Sequence, residues 1–216
     1  MDTERVDRIL DALKELYPEA KAELHFSNPY ETLIATILSA QCTDKRVNMV
    51  TEKLFALYPD AFSMAKLTPE ELEPHIKSCG LYHNKAKNIV AASKALVELY
   101  NGEVPCDRKK LMALPGVGQK TAGVVLLAAF GDDQIPVDTH VFRVSNRIGL
   151  AHADTPNGVE SQLRDILPKD IWSHAHHLLI WHGRRCCAAR KPACERCPLR
   201  VELCEYNNNE NNTEEI

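Results

Sequence analysis

The chain has 216 residues, 44% of them hydrophobic and 26% charged, proportions close to the globular average and enough for a sizeable core. That balance excludes a wholly disordered protein. The longest apolar run, 122–130, falls far short of the ~20 residues a membrane span needs, and the charged start MDTERVDRIL lacks the apolar stretch of a signal peptide. A cytoplasmic protein without a membrane partner is therefore expected. The net charge of −4 argues mildly against a nucleic-acid partner, but its distribution reverses that reading. Stretch 184–200 carries Arg184, Arg185, Arg190, Lys191, Arg196 and Arg200 against Glu195 alone, and Arg108, Lys109, Lys110 and Lys120 form a second basic group. Acids dominate 1–24 and the tail from Glu205. Two basic patches on an acidic remainder suit a surface that meets phosphate, although an ordinary solvated face would look similar.

Helical periodicity runs through the chain. Val6, Ile9, Leu10, Leu13 and Leu16 predict a helix over 4–17, stopped before Pro18. Asn28-Pro29-Tyr30-Glu31 and Thr68-Pro69-Glu70-Glu71 are start signals, each with a capping side chain, a proline at the first position and an acid at the third. Thr43 opens a helix to Leu57, and Gly80 closes the one begun at Thr68. Residues 84–100 form a long helix, and short ones follow from Asp107 to Ala113 and from Gly118 to Phe130. Asp138, Thr155 and Asp170 open the last three, over 139–148, 156–167 and 171–182. About ten helices and no alternating strand make the class all-α. The polar loop 131–134 is the best boundary inside the helical run, and 206–216 reads as a frayed acidic tail.

Three groups of residues carry chemistry. Cys187-x6-Cys194-x2-Cys197-x6-Cys204 places four thiols in one loop after a helix. Zinc would accept four thiolates, but only one short knuckle is present, and the wider spacings favour a bulkier iron–sulfur cube. Cys186 is either a substitute ligand or a buried neighbour. Next, Leu114-Pro115-Gly116-Val117-Gly118 joins two helices. Its glycines allow positive φ and close approach, and its free N–H groups, with those of the following helix, can hold a phosphodiester without reading sequence. Lys120 then lies in the first helical turn, where the dipole disfavours the ammonium and so favours an amine nucleophile. Asp138, eighteen residues on, is an N-cap by position and a carboxylate partner for Lys120 by chemistry.

Together, 114–122, Val137-Asp138-Thr139-His140-Val141-Phe142-Arg143 and the cysteine loop closely resemble the endonuclease III family. So do Leu38-Ser39-Ala40-Gln41-Cys42-Thr43-Asp44, Gly80-Leu81-Tyr82 and Ala189-Arg190-Lys191-Pro192, so the resemblance covers most of the chain. It implies two all-α domains. A six-helix barrel over 21–132, with the helix-hairpin-helix motif at about 108–130, is inserted in an iron–sulfur domain made of 1–20 and 133–216. Lys120 and Asp138 would face the cleft between them.

The implied function is excision of an oxidised pyrimidine from duplex DNA, followed by strand nicking through a Schiff base at the abasic site. Lys120 and Asp138 would be catalytic. Gln41 and Leu81 would enter the duplex, while Gly116, Val117, Gly118, Arg143, Arg190 and Lys191 would contact DNA. Ser39, Asp44 and His140 would line the base pocket. Cys187, Cys194, Cys197 and Cys204 would hold one 4Fe–4S cluster in a monomer, associated with the nucleoid if the source is bacterial. Adenine-excising relatives lack the lysine and carry a further C-terminal domain. Two features depart from the family pattern: the last cysteine spacing is x6 where x5 is usual, and Met112 stands where some relatives carry an acid. The alternatives are a noncatalytic helix-hairpin-helix DNA-binding protein, which would need the hairpin but not Lys120 with Asp138, and a relative with another lesion specificity.

Overall fold

In the computed structural model, which describes residues 3–207, eleven α-helices and three short 3₁₀ turns lie among residues 3–196. The α-helices are α1 (Thr3–Leu16), α2 (Pro29–Ser39), α3 (Asp44–Leu57), α4 (Ala61–Met64), α5 (Pro69–Ile76), α6 (Tyr82–Tyr100), α7 (Arg108–Met112), α8 (Gln119–Phe130), α9 (Thr139–Ile148), α10 (Pro156–Ile166) and α11 (Trp172–Arg185). The described residues contain no strand. Helix starts follow local chemistry. Asn28 accepts from the Glu31 N–H at 2.9 Å, and Thr68 and Glu71 exchange bonds of 2.8 and 3.3 Å in a capping box. Each satisfies donors that the first turn leaves open.

The chain divides into two compact units, with one break after Lys21 and the other after Asp132. Ala22–Asp132 contains α2 to α8 around a core that includes Leu33, Ile34, Leu38, Leu54, Met64, Leu72, Ile89 and Leu111. Here α2 is central: Tyr30 and every residue from Thr32 to Leu38 are buried, and the Thr32 and Thr36 hydroxyls donate to Asn28 O and Thr32 O. Helix α8 packs on α2, while α4 and α5 pack on α6. The second unit joins α1 to α9, α10 and α11. Its core includes Ile9, Leu13, Val141, Val144, Leu163, Leu178, Leu179 and Leu199.

Several details differ from the sequence expectation. Four residues are too few to display periodicity, so α4 was not foreseen; Asp60 and Ser63 nonetheless cap it reciprocally. Helix α5 ends at Ile76 and continues as a 3₁₀ turn to Cys79, and α11 runs on to Arg185. The expected frayed tail starts too early. Tyr206 lies 4.8 Å beneath the Arg147 guanidinium, and the Asn207 amide donates to Arg200 O at 3.2 Å. An aromatic face and an amide thus hold the first two tail residues; the rest, from 208, lie outside the described residues. No described helix is long and apolar enough to cross a membrane.

Candidate active site

In the Ala22–Asp132 unit, α7 and α8 form the hairpin. Leu114 and Val117 are buried and pin the turn from beneath, and the Val117 N–H donates to Leu114 O at 3.1 Å. Only one of its two glycines needs the left-handed region. Gly116 has φ +77°, and a Cβ there would stand 2.7 Å from Asn88 Cβ. Gly118 has φ −91° and open space around it. As N-cap of α8 it brings no capping side chain, so the first-turn N–H groups face outward at the positive end of the helix.

The glycines can therefore be separated by mutation. Gly116→Ala is expected to lower unfolding free energy by about 1–3 kcal/mol in urea titrations. Gly118→Ala is expected to leave it within about 0.5 kcal/mol, and instead to weaken duplex binding by placing a methyl at the donors. Equal destabilisation by the two would refute the assignment.

Lys120 is exposed in the first turn of α8. Among the described residues it has no ion-pair or hydrogen-bond partner, so its amine is available to a ligand.

Three exposed non-glycine residues in this unit stand on left-handed backbone: Gln41, Leu81 and, at the end of α6, Asn101. Gln41 has φ +54° and Leu81 φ +49°, the latter directly after Gly80 at φ +67°. Leu81 is 53% exposed. Asp44, which opens α3, lines a cavity of about 850 Å³ together with Glu23, His25, Phe26, Met49 and Phe55. Ser39, half-buried at the end of α2, donates its hydroxyl to Thr36 O at 2.8 Å, which leaves its oxygen able to accept.

In the other unit Asp138 caps α9. Its Oδ1 accepts from the N–H groups of His140 and Val141, both at 2.8 Å, and Oδ2 has no hydrogen-bond partner among the described residues. His140 follows, with its pKa lowered by burial; Asp138 opposes that shift, and the Arg143 and Arg184 cations reinforce it. Gly183 on α11 lets the helices close here, since a Cβ would come within 2.9 Å of His140 Cβ.

Arg143, expected on DNA, instead commits its guanidinium within the protein. It donates to Gly183 O at 2.9 Å and to Cys187 O at 3.0 and 3.1 Å. Arg147, one turn on, donates to Ala188 O at 2.7 Å, Ala189 O at 3.2 Å and Cys187 Sγ at 3.6 Å. Helix α9 thus carries the capping carboxylate at one end and two arginines that hold the cysteine loop. Beyond that anchor Arg190 and Lys191 are exposed, Lys191 at φ +52°.

None of the eight cysteines is in a disulfide. Burial pushes the Cys197 thiol up to about 12; the Leu199 N–H opposes the rise, and Cys186 and Cys187 add to it. Burial also raises Cys204, against the Asn207 and Tyr206 N–H groups, and Cys197 and Cys187 add to that shift. The thiols therefore feel one another across the loop. His182, Cys186 and Cys197 bring ligand atoms within 4.8 Å of one another. His182 is 1% exposed, 3.2 Å from the Tyr17 hydroxyl through Nδ1 and 3.7 Å from Cys197 Sγ through Nε2.

Residues 34–169 match the family model described as HhH-GPD superfamily base excision DNA repair protein. Endonuclease III of Rickettsia conorii is 48% identical over 206 residues, covering 95% of this chain and 98% of that protein. The Escherichia coli K12 enzyme of the same name is 48% identical over 198 residues, covering 92% and 93%. The chain belongs to the endonuclease III family. It superposes with a TM-score of 0.92 and 46% identity on a trapped endonuclease III–DNA covalent intermediate, covering 97% of this chain and 99% of that one. Membership makes this chain a base-excision DNA glycosylase with abasic-site lyase activity.

As an endonuclease III chain, it has a cysteine and histidine group compatible with a metal cofactor. His182 in that group is buried and bonds the Tyr17 hydroxyl. Its closeness to Cys197 carried no sequence signal, because the two are fifteen residues apart on different elements. The anchoring role of Arg143 and Arg147 was equally hidden: both acceptors and donors lie some forty residues apart.

Proposed function

We propose that this endonuclease III acts on oxidised pyrimidines in duplex DNA, using Lys120 as nucleophile and Asp138 as the acid–base partner on one deoxyribose. The observation that carries this reading is the exposed, unpaired Lys120 in the first turn behind an open phosphate-binding hairpin. A relative 46% identical was solved as a trapped covalent intermediate with DNA, which supports the same chemistry here.

The steps follow from the residues. N–H groups of the hairpin and of the first turn of α8 take a backbone phosphate; Gly116 and Gly118 leave theirs open, while Val117 spends its own on Leu114 O and so holds the turn. Arg190 and Lys191 add positive charge along the strand, while Arg143 keeps their loop in place. The damaged nucleotide leaves the stack at a cost of a few kcal/mol, less than for an intact base. Leu81 wedges into the vacated space, and Gln41 offers an amide to the widowed base. Asp138 either takes a proton from the Lys120 ammonium or, remaining a carboxylate, stabilises the cation developing at C1′. Lys120 Nζ bonds to C1′ as the C1′–base bond breaks and the base leaves with the pair. Ring opening gives an iminium, which acidifies the C2′ hydrogen. Loss of that proton expels the 3′ phosphate and nicks the strand. His140, kept neutral by burial, and Asp44 are left to contact the base.

The thiols of Cys187, Cys194, Cys197 and Cys204 suit one 4Fe–4S cluster. They are four soft donors free of disulfides; burial raises the Cys197 and Cys204 thiols, and cationic iron would reverse that shift. Such a group would supply folding free energy to a loop too short for its own core. Iron content and visible absorbance test the set. Cys197→Ala and Cys204→Ala proteins are expected to lose both, and Cys186→Ala to keep them. Full iron in Cys204→Ala with loss in Cys186→Ala would move the fourth ligand to Cys186.

The substrate assignment is tested by borohydride capture on duplexes carrying a single thymine glycol, a pyrimidine dimer, an alkylated base or a mismatched thymine. A covalent band with thymine glycol is expected. Capture confined to another lesion would overturn the oxidised-pyrimidine reading.

A further inference from the structure

Lys85 is a buried lysine that neither the hairpin nor the cysteine loop explains. It lies in the first turns of α6, is 4% exposed, and its Nζ donates to Leu38 O at 2.9 Å and Cys79 O at 2.8 Å. Among the described residues it has no carboxylate partner, and the ionisable groups that act on it are the Cys42 and Cys79 thiols. Burial holds its pKa below the usual lysine value, which those thiols oppose. A lysine this buried without an acid is uncommon, so the two carbonyls deserve a reason.

Both carbonyls sit at the roots of the two loops that enter DNA in the reading above. Leu38 O belongs to the last turn of α2, three residues before Gln41, and Cys79 O closes the 3₁₀ turn two residues before Leu81. Each root is followed by a side-chain-bearing residue held in the left-handed region, at φ +54° and φ +49°. Such conformations persist only where surroundings enforce them. Leu81 has no capping side chain to help it, and its own carbonyl accepts from the Lys85 N–H at 3.0 Å. One residue therefore bonds the roots of both loops through its ammonium and holds Leu81 through its backbone.

We propose that Lys85 is a positioning residue that sets Gln41 and Leu81 together in the conformation that fills the space left by the extruded nucleotide. The proposal rests on the assignment of Gln41 and Leu81 as inserting residues. An ammonium suits the role because it gives three donors in different directions, so it can satisfy two carbonyls from separate loops at once. At the C-terminal end of α2 it also meets the negative end of that helix.

The test uses the full-length, metal-loaded protein and a duplex with a stable tetrahydrofuran abasic analogue opposite 2-aminopurine. The fluorescence of 2-aminopurine reports insertion, and a parallel duplex with a true abasic site gives kcat and KM. Lys85→Met and Lys85→Gln, each checked for wild-type helicity and visible absorbance, are expected to lower the fluorescence change and to reduce kcat/KM about 100-fold. Affinity for undamaged duplex is expected to stay within about threefold, because hairpin contacts are untouched. Lys85→Arg, which keeps a multiply donating cation, restores much of the signal.

A cycle with Leu81→Ala separates positioning from general stability. If Lys85 acts through Leu81, the double variant is little worse than Leu81→Ala alone. Additive losses, or Lys85 variants with wild-type insertion and kcat/KM, overturn the proposal. Wild-type insertion by Leu81→Ala and Gln41→Ala instead removes the underlying assignment of those two residues.

Discussion

Lys120→Ala protein should form no borohydride-stable adduct and should not nick an abasic duplex. Loss of a covalent nucleophile costs on the order of 10⁶-fold in the step it serves. The structure makes the result interpretable, because Lys120 is exposed in the first turn of α8 and holds no other residue in place. Its removal should change unfolding free energy by less than about 0.5 kcal/mol, and phosphate binding by hairpin N–H groups survives. Lys120→Arg keeps the charge but not the nucleophile, so it should bind duplex normally and also fail to cross-link. Single-turnover gel assays with and without borohydride check both. An adduct retained by Lys120→Ala would give the amine's role to another group.

Asp138 offers the second large effect and a cleaner separation of fold from chemistry. Its two capping bonds both end on Oδ1. Asparagine has an equivalent oxygen and is as good an N-cap. Asp138→Asn should therefore keep α9, and the protein's melting temperature, almost intact. What it loses is the negative charge and the proton acceptor, together worth about 10²–10⁴ in rate. Asp138→Ala removes the cap as well, costing about 0.5–2 kcal/mol of stability in addition to the same rate loss. Thermal melts beside single-turnover excision of thymine glycol distinguish the two variants. Asp138→Asn activity within tenfold of wild type would leave Asp138 as a cap and nothing more.

Helix starts were legible because their signals are local. Asn28, Thr68, Asp107, Asp138 and Thr155 each bond an N–H two or three residues ahead, so the residue and its partner sit in one short stretch of sequence. The start of α6 was missed by the same logic. Leu81 caps it through left-handed backbone without a side-chain bond, and no residue type announces that. Gly118 looked like a second positive-φ glycine beside Gly116, but backbone angles at paired glycines depend on what each approaches. The inward commitments of Arg143 and Lys85 were illegible for a different reason. An arginine near a motif and a lysine in a charged helix look solvated until distant carbonyls appear beside them. Residues that act on substrate were easier to find than those that hold them, since chemistry restricts residue type and support does not.

The two-core division also has a consequence for biosynthesis. Helix α1 buries Val6, Ile9, Leu10 and Leu13 in a core otherwise built mainly from elements encoded after Asp132. At ribosomal speeds of about 5–20 residues per second, making Ala22–Asp132 takes roughly 5–20 s. During that interval α1 emerges with its apolar stripe unpartnered, while Ala22–Asp132 can already condense around its own core. The cysteine loop leaves the ribosome later still, after α11. Newborn chains would thus complete the α7–α8 hairpin well before α9, which carries Asp138, meets the cysteine loop held by Arg143 and Arg147; on the proposed roles, affinity for DNA precedes the power to cut it.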